Sequence, residues 1–264
     1  MRSLGVPTDG SAPQVKVLEE ADGEGFQNQH IQFESEPGIQ IDARLYVPRA
    51  SGKHPAVLLL AGKLSDLLAG KMAEMGRVVL VLEPRHSVSY DDRRPYVGDW
   101  LANTRADQIG VSLPGRRARD ILRGVDLLCA RKEVDARSIR AAGQGVKGIW
   151  LLLAAAADPR IQKVWLDRTP YSLFEALQNT LNTNLYDAVI PGFVLHWDLE
   201  DLGKADGSPS GDLDRPDQLD GQGRVRGPSF PVQVGTRRPH GSERHAGHRV
   251  RAGTDEVMRT ASPG

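Results

Sequence analysis

From Phe26 to Val47 the chain reads FQNQHIQFESEPGIQIDARLYV, two segments in which apolar and polar positions alternate on either side of Glu36-Pro37-Gly38. Alternation with a period of two marks strands with one buried face. Pro37 presets φ and Gly38 accepts a positive one, so an antiparallel hairpin is predicted. The pattern then changes. His54 to Leu60 (HPAVLLL) and Arg77 to Leu82 (RVVLVL) are apolar on every side, as expected of strands covered on both faces. Between them Leu64, Leu67, Leu68, Met72 and Met75 recur at helical spacing, with Gly76 as a stop. Strand, helix, strand predicts a right-handed parallel crossover.

The same alternation continues downstream. Pro114 to Lys132 predicts an amphipathic helix with Ile121, Leu122, Val125, Leu128 and Cys129 inward, followed by a strand at Ser138 to Ala142. Gly148 to Ala157 (GIWLLLAAAA) is apolar all round, which predicts a helix buried in the sheet packing, ended by Asp158-Pro159. A strand at Ile161 to Leu166 and a helix at Ser172 to Leu185, with Leu173, Ala176, Leu177 and Leu181 inward, complete the series. Parallel strands alternating with helices, introduced by a hairpin, select an α/β fold with a doubly wound, mostly parallel sheet.

Composition sets the boundaries of that domain. Residues 1–25 are polar and rich in glycine, proline and acid, so they read as a flexible leader. Residues 26–203 carry the periodic segments, and residues 204–264 contain no isoleucine, tryptophan or tyrosine. Such a tail is expected to be disordered and to leave the sheet incomplete at its C-terminal edge, exposed for self-association. Arg237, Arg238, Arg244, Arg249 and Arg251 with His240, His245 and His248 make its end basic, but these histidines lack the spacing of a helical ligand pair. With one choice of synonymous codons, Asp206 to about Gly221 read one base later becomes a buried strand followed by an aspartate. The tail is on that reading the product of a frame change.

Charge and cysteine content then exclude whole classes of partner. Lysine plus arginine equals aspartate plus glutamate at 34 each, so no overall field favours nucleic acid or an anionic membrane. The single cysteine, Cys129, excludes an internal disulfide and a thiolate zinc cluster, and its place in an apolar helix reads as packing. Neither a signal-peptide h-region nor a membrane-length apolar run occurs, which leaves the compartment open.

Chemistry in an open α/β sheet is expected at the carboxyl ends of its strands. After Val57 to Leu60 comes Ala61-Gly62-Lys63, and after Leu82 comes Glu83-Pro84-Arg85-His86. The third such end lies in GVDLLCARKEVDARSIRAAGQGVKGIWLLLAAAADPRI. There a helix, the phrase Val134-Asp135-Ala136-Arg137-Ser138-Ile139, a strand, a glycine elbow and a buried helix follow one another. From Phe26 to Leu202 the chain resembles the α/β-hydrolase superfamily, in its acetyl xylan esterase and cephalosporin-C deacetylase branch. The resemblance implies that Gly62 and Lys63 lie in the loop supplying one oxyanion-hole amide, with Val146 after the elbow supplying another. It also implies an acylated carbohydrate or small ester as ligand, and no cofactor or metal.

The elbow departs from the family's pattern. Setting Gly143 on the first glycine of G-x-S-x-G puts Gly145 on the nucleophilic serine and Lys147 on the second glycine. Glycine has no atom that could attack a carbonyl, so Ser-His-Asp acyl transfer cannot start there. Gly143, Gly145 and Gly148 also satisfy G-x-G-x-x-G, with Asp167 at about the right distance for a ribose-binding acid. The position outside the first βαβ unit speaks against a dinucleotide.

Other candidates are weak. Asp167 follows a buried strand where some hydrolases keep their acid, yet Arg168 beside it offers an ion pair instead. His86 could be a base at a strand end, although a polar turn also suits a surface histidine. Ser112 reads as a loop or cap serine, and His196 as a packing residue beside Trp197. Three functions remain open at this level: a degenerate, catalytically silent esterase domain, an ester or lactone hydrolase with an unorthodox nucleophile, and a carbohydrate- or partner-binding module using the old cleft.

Overall fold

A computed structural model describes residues 4–62, 65–85, 100–178, 185–204 and 230–233. Its strands are β1 (Val15–Asp22), β2 (Phe26–Glu36), β3 (Ile39–Pro48), β4 (His54–Leu60), β5 (Val78–Leu82), β6 (Val134–Gln144), β7 (Ile161–Asp167) and β8 (Phe230–Gln233). Helices α1 (Ser65–Glu74), α2 (Trp100–Gln108), α3 (Leu113–Ala130), α4 (Val146–Ala157), α5 (Leu173–Gln178) and α6 (Leu199–Lys204) connect or follow them. One sheet contains every strand in the order β1-β2-β3-β5-β4-β6-β7-β8. The ladders β5-β4, β4-β6 and β6-β7 are parallel, and the flanking ones are antiparallel. The hairpin closes as expected, with Glu36 opposite Ile39 around Pro37 and Gly38, whose φ is +81°.

Two cores lie on opposite sides of this sheet because successive residues of a strand point to opposite faces. Leu58, Leu60, Leu80 and Leu82 join Ile31, Phe33, Ile121, Leu122, Val125 and the apolar side chains of α4 in the larger one. Val57, Leu59, Val79 and Val81 pack with Tyr46, Ala69 and Ala73 of α1 in the smaller. In α4, Gly148 through Ala155 are all buried, as an all-apolar helix requires. Ser112 caps α3 by accepting the Gly115 N–H at 3.2 Å. Below the β5 end, Asp120 of α3, whose side chain is fully buried, accepts from the Arg85 amide at 3.0 Å and from its Nε and Nη2 at 2.8 and 2.6 Å. The Asp120 carboxylate also accepts the Ser35 hydroxyl, so the turn after β5 is tied to β2 and α3 together.

Several expectations need correction. The leader is not outside the fold: Val15–Asp22 pairs with β2, and Val6 is fully buried against the larger core. Every residue of β1 is exposed, so backbone pairing rather than side-chain burial holds it, and composition carried no sign of it. Helix α1 turns Ser65, Ala69 and Ala73 inward and leaves Leu67, Leu68 and Met75 at 59, 46 and 57% exposure. Small residues at i, i+4 and i+8 let this helix lie close to the sheet, and the large ones fall at its margins. Helix α5 is described over Leu173–Gln178, where Leu177 is exposed rather than inward, and both His196 and Trp197 are exposed. Tail residues do supply a strand, since β8 pairs antiparallel with β7 and covers Lys163 to Leu166. Pro231 is tolerated there because an edge strand has one side without ladder bonds. The remaining tail expectations, the frame change included, fall on residues 205–229 and 234–264, outside the described residues, as do those on Leu64 and Leu181. No helix among the described residues is long and apolar enough to cross a membrane.

Candidate active site

The carboxyl ends of β4, β5, β6 and β7 meet at the junction between β6 and α4. Strand β6 ends at Gln144 and α4 begins at Val146, so a single residue, Gly145, makes the turn with φ 58° and ψ −133°. That conformation is open to glycine and strained for an L-residue. Its amide donates to Asp167 O at 2.8 Å, and its carbonyl accepts the Gly148 N–H and the Thr169 hydroxyl, both at 3.1 Å. The turn is therefore pinned from both sides. A Cβ built on Gly145 would meet none of the described residues within 4 Å, so among them the position that a nucleophile would occupy is open.

The neighbouring glycines have a different task. A Cβ on Gly148 would lie 1.9 Å from Thr169 Oγ1, and one on Gly143 would lie 3.2 Å from Gly148 Cα. Gly148 is thus the small residue that packs under the elbow opposite Gly143. With Gly145 at the turn, Lys147 keeps the place of the motif's second glycine, and Gly148 one residue later takes over the close packing.

Lys147 instead crosses the ends of β4 and β5. Its Nζ lies 2.7 Å from Ala61 O and 2.7 Å from each carboxylate oxygen of Glu83. An ammonium has three N–H donors, and these three oxygens account for all of them. With side-chain exposures of 24 and 27%, the pair is partly shielded from solvent, and it works as a clasp across two strand ends. As placed, Lys147 has neither a lone pair nor a spare donor to offer a substrate. Sequence reasoning missed this contact, since the lysine stood where the motif asked for a glycine.

The remaining candidates divide. Val146 opens α4, so its N–H is among the amides of the first turn that have no partner within the helix. The Gly62 amide donates to Ser65 Oγ at 3.2 Å, while that hydroxyl donates back to Gly62 O at 2.9 Å. Gly62 therefore closes the start of α1 in the structure. Asp167 has its carboxylate on Gln144 Nε2 and, at 3.3 Å, on Arg168 Nε, and Arg168 itself has a φ of +50°. Lys63 and His86 lie outside the described residues. Further along the chain, the Tyr171 phenol donates to Glu200 at 2.5 Å, and burial followed by this carboxylate pushes its pKa up to about 12. Asp198 anchors α5 by accepting the Leu173 amide at 2.6 Å and the Ser172 hydroxyl at 2.5 Å. No group of three or more metal-ligating side chains occurs among the described residues.

No protein-family model matches the sequence, and no curated protein matches it. Solved structures do match. Acetyl xylan esterase 1 from Thermoanaerobacterium sp. JW/SL YS485 superposes with a TM-score of 0.56 at 20% identity, over 74% of this chain and 65% of that one. A Bacteroides fragilis protein assigned to the acetyl xylan esterases superposes with a TM-score of 0.62 at 12% identity, over 77% of this chain and 62% of its own. The chain thus spans less than two thirds of the length of either. At these identities the likeness is one of architecture, and it places the chain in the α/β-hydrolase fold as acetyl xylan esterases have it.

Proposed function

We propose that this chain is a carboxylic-ester hydrolase domain that has lost serine catalysis and retains the cleft of an esterase acting on an acylated carbohydrate or small ester. The observation that carries this reading is Gly145: the elbow turns at a residue that has no side chain to act as nucleophile, and no described residue lies within 4 Å of where its Cβ would be. The groups around it do not substitute. The donors of Lys147 are engaged by Glu83 and Ala61, and Asp167 is engaged by Gln144 and Arg168. The matched structures bear the name acetyl xylan esterase, which supports acetylated sugars as the ligand class. Self-association, expected at the C-terminal edge that β8 now covers, is proposed instead through edge strand β1, where Val15, Val17 and Leu18 are 40, 45 and 41% exposed.

The test is hydrolysis of p-nitrophenyl acetate and labelling by a fluorophosphonate, with sedimentation reporting the oligomeric state. Turnover at the uncatalysed background and no labelling are expected. Robust turnover abolished by Asp167→Asn or His86→Ala would overturn the reading in favour of an active hydrolase.

A further inference from the structure

On the side of the smaller core, α1 packs across β3 and β5. Beyond it, Arg140 and Ala142 of β6 and Lys163 and Trp165 of β7 stand on the same side, because their neighbours Ile139, Ala141 and Val164 point into the larger core. The register sets Arg140 beside Lys163 and Ala142 beside Trp165. Among the described residues, the helices that pack on β6 and β7 are α3 and α4, both on the other side of the sheet. Trp165 is half-buried, and the Arg140 guanidinium and Lys163 Nζ each lie 5.6 Å from its ring centroid. Neither cation meets a carboxylate among the described residues.

Helix α1 walls this floor on one side. Asp66 bonds Arg44 and Tyr46 of β3 at 2.9 and 2.8 Å, and Gly70 faces the Phe26 ring of β2, so that margin of the helix looks toward β2 and β3. At about 3.6 residues per turn, Leu68 and Met75 fall on the opposite margin, toward β4 and β6, and both are exposed. The line between β6 and β7 lies two and a half ladder spacings, or about 12 Å, from β5. A helix with its side chains is about 10–12 Å across, so one laid over β6 and β7 would touch Leu68 and Met75.

We infer that this slot receives an amphipathic helix of another protein, apolar toward Ala142, Trp165, Leu68 and Met75 and acidic toward Arg140 and Lys163. An apolar floor beside an apolar wall matches a helix with one apolar stripe, and a helix satisfies its own backbone, which a sheet face cannot do for it. Two cations without carboxylate partners select glutamate or aspartate at the margin of that stripe and repel lysine. The chain's own residues 234–264 carry more arginine than acid, the wrong sign for this floor. Strand β7 has 7 residues, about 23 Å, which a helix of about 15 residues spans. No residue of the elbow turn takes part, so the inference stands whether or not the elbow is silent.

The test uses the full chain and two fluorescein-labelled helical peptides of about 16 residues with the same leucine stripe, one flanked by glutamates and the other by lysines. Fluorescence anisotropy should show micromolar binding of the glutamate peptide and about tenfold weaker binding of the lysine peptide. The double variant Arg140→Glu with Lys163→Glu should reverse that order, and Leu68→Ser, at an exposed position, should weaken the glutamate peptide about tenfold. No binding of the glutamate peptide, equal binding of the two, or affinities unchanged in these variants would overturn the inference. Displacement of the glutamate peptide by a synthetic segment 234–264 would overturn it in favour of the chain's own tail. Dimerisation abolished by Leu68→Ser would overturn it in favour of a second copy.

Discussion

Lys147 holds Glu83 by both carboxylate oxygens at 2.7 Å, and with its third donor it holds the Ala61 carbonyl. The first turn of α4 is thereby tied to the ends of β4 and β5. Lys147→Met should lower stability by about 1–3 kcal/mol, because it removes three charge-assisted hydrogen bonds, two to the Glu83 carboxylate and one to the Ala61 carbonyl. Adding Glu83→Gln should recover part of that loss. Urea titrations of both single variants and the double variant measure the coupling, and strict additivity would show that the pair contributes nothing.

Gly145→Ser should fold and should be less stable by about 1–3 kcal/mol, the strain of an L-residue at φ 58° and ψ −133°. No described residue lies within 4 Å of the added Cβ, so no clash among them adds to this. The variant should remain unlabelled by fluorophosphonate, since no described histidine activates the new hydroxyl. Thermal denaturation and active-site labelling check both halves.

Gly148→Ala should be more damaging than Gly145→Ser although it adds less, because its Cβ would fall 1.9 Å from Thr169 Oγ1 and 2.9 Å from Thr169 Cβ. Thr169→Gly in the same chain should restore much of the loss. A singly substituted Gly148→Ala protein as stable as the parent would show that the elbow can spread without cost.

These contacts mark how far the sequence could be read. Periodicity located β4, β5, α3, α4 and β7 because each buries a continuous apolar face, and period and burial have one cause there. It failed at β1, whose side chains are all exposed and which the backbone ladder alone holds. It misjudged α1 because close helix–sheet approach selects alanine over leucine, so the large residues at helical spacing were the outward ones. At the site, the elbow was legible from its three glycines. The Lys147–Glu83 clasp and the seat of Thr169 beneath Gly148 were not, since both join residues far apart in sequence through a geometry that only the folded sheet creates.

Leu152→Asp should leave the protein unfolded. Leu152 is 5% exposed on α4, and an unpaired carboxylate there costs several kcal/mol against a typical total of roughly 5–15. Circular dichroism and near-UV signals should both collapse, and a cooperative native transition would show that α4 is not central to the core.

Tyr46 should make stability fall at alkaline pH. Burial, then its hydrogen bond to Asp66 at 2.8 Å, pushes the phenol up to about 12. The unfolded chain ionises it near pH 10, so between the two values the folded state holds the extra proton. Its contribution is complete below about pH 10 and is lost as pH rises through about 12. Absorbance titration of tyrosinate should show a late-ionising phenol that is missing in Tyr46→Phe, whose stability should also decline less over that range.

Strand β8 runs against β7, with Phe230 beside Leu166 and Gln233 beside Lys163. Its amino end, not its carboxyl end, therefore reaches the rim where Gly145 turns. In a parallel strand the residue after the last ladder pair emerges at that rim, in reach of whatever binds there. Here the described ladder runs from Phe230 at the rim to Gln233, about 10 Å down the sheet. The reversed polarity of one short strand thus sets its first residue, Phe230, and not its last, at the level of the elbow.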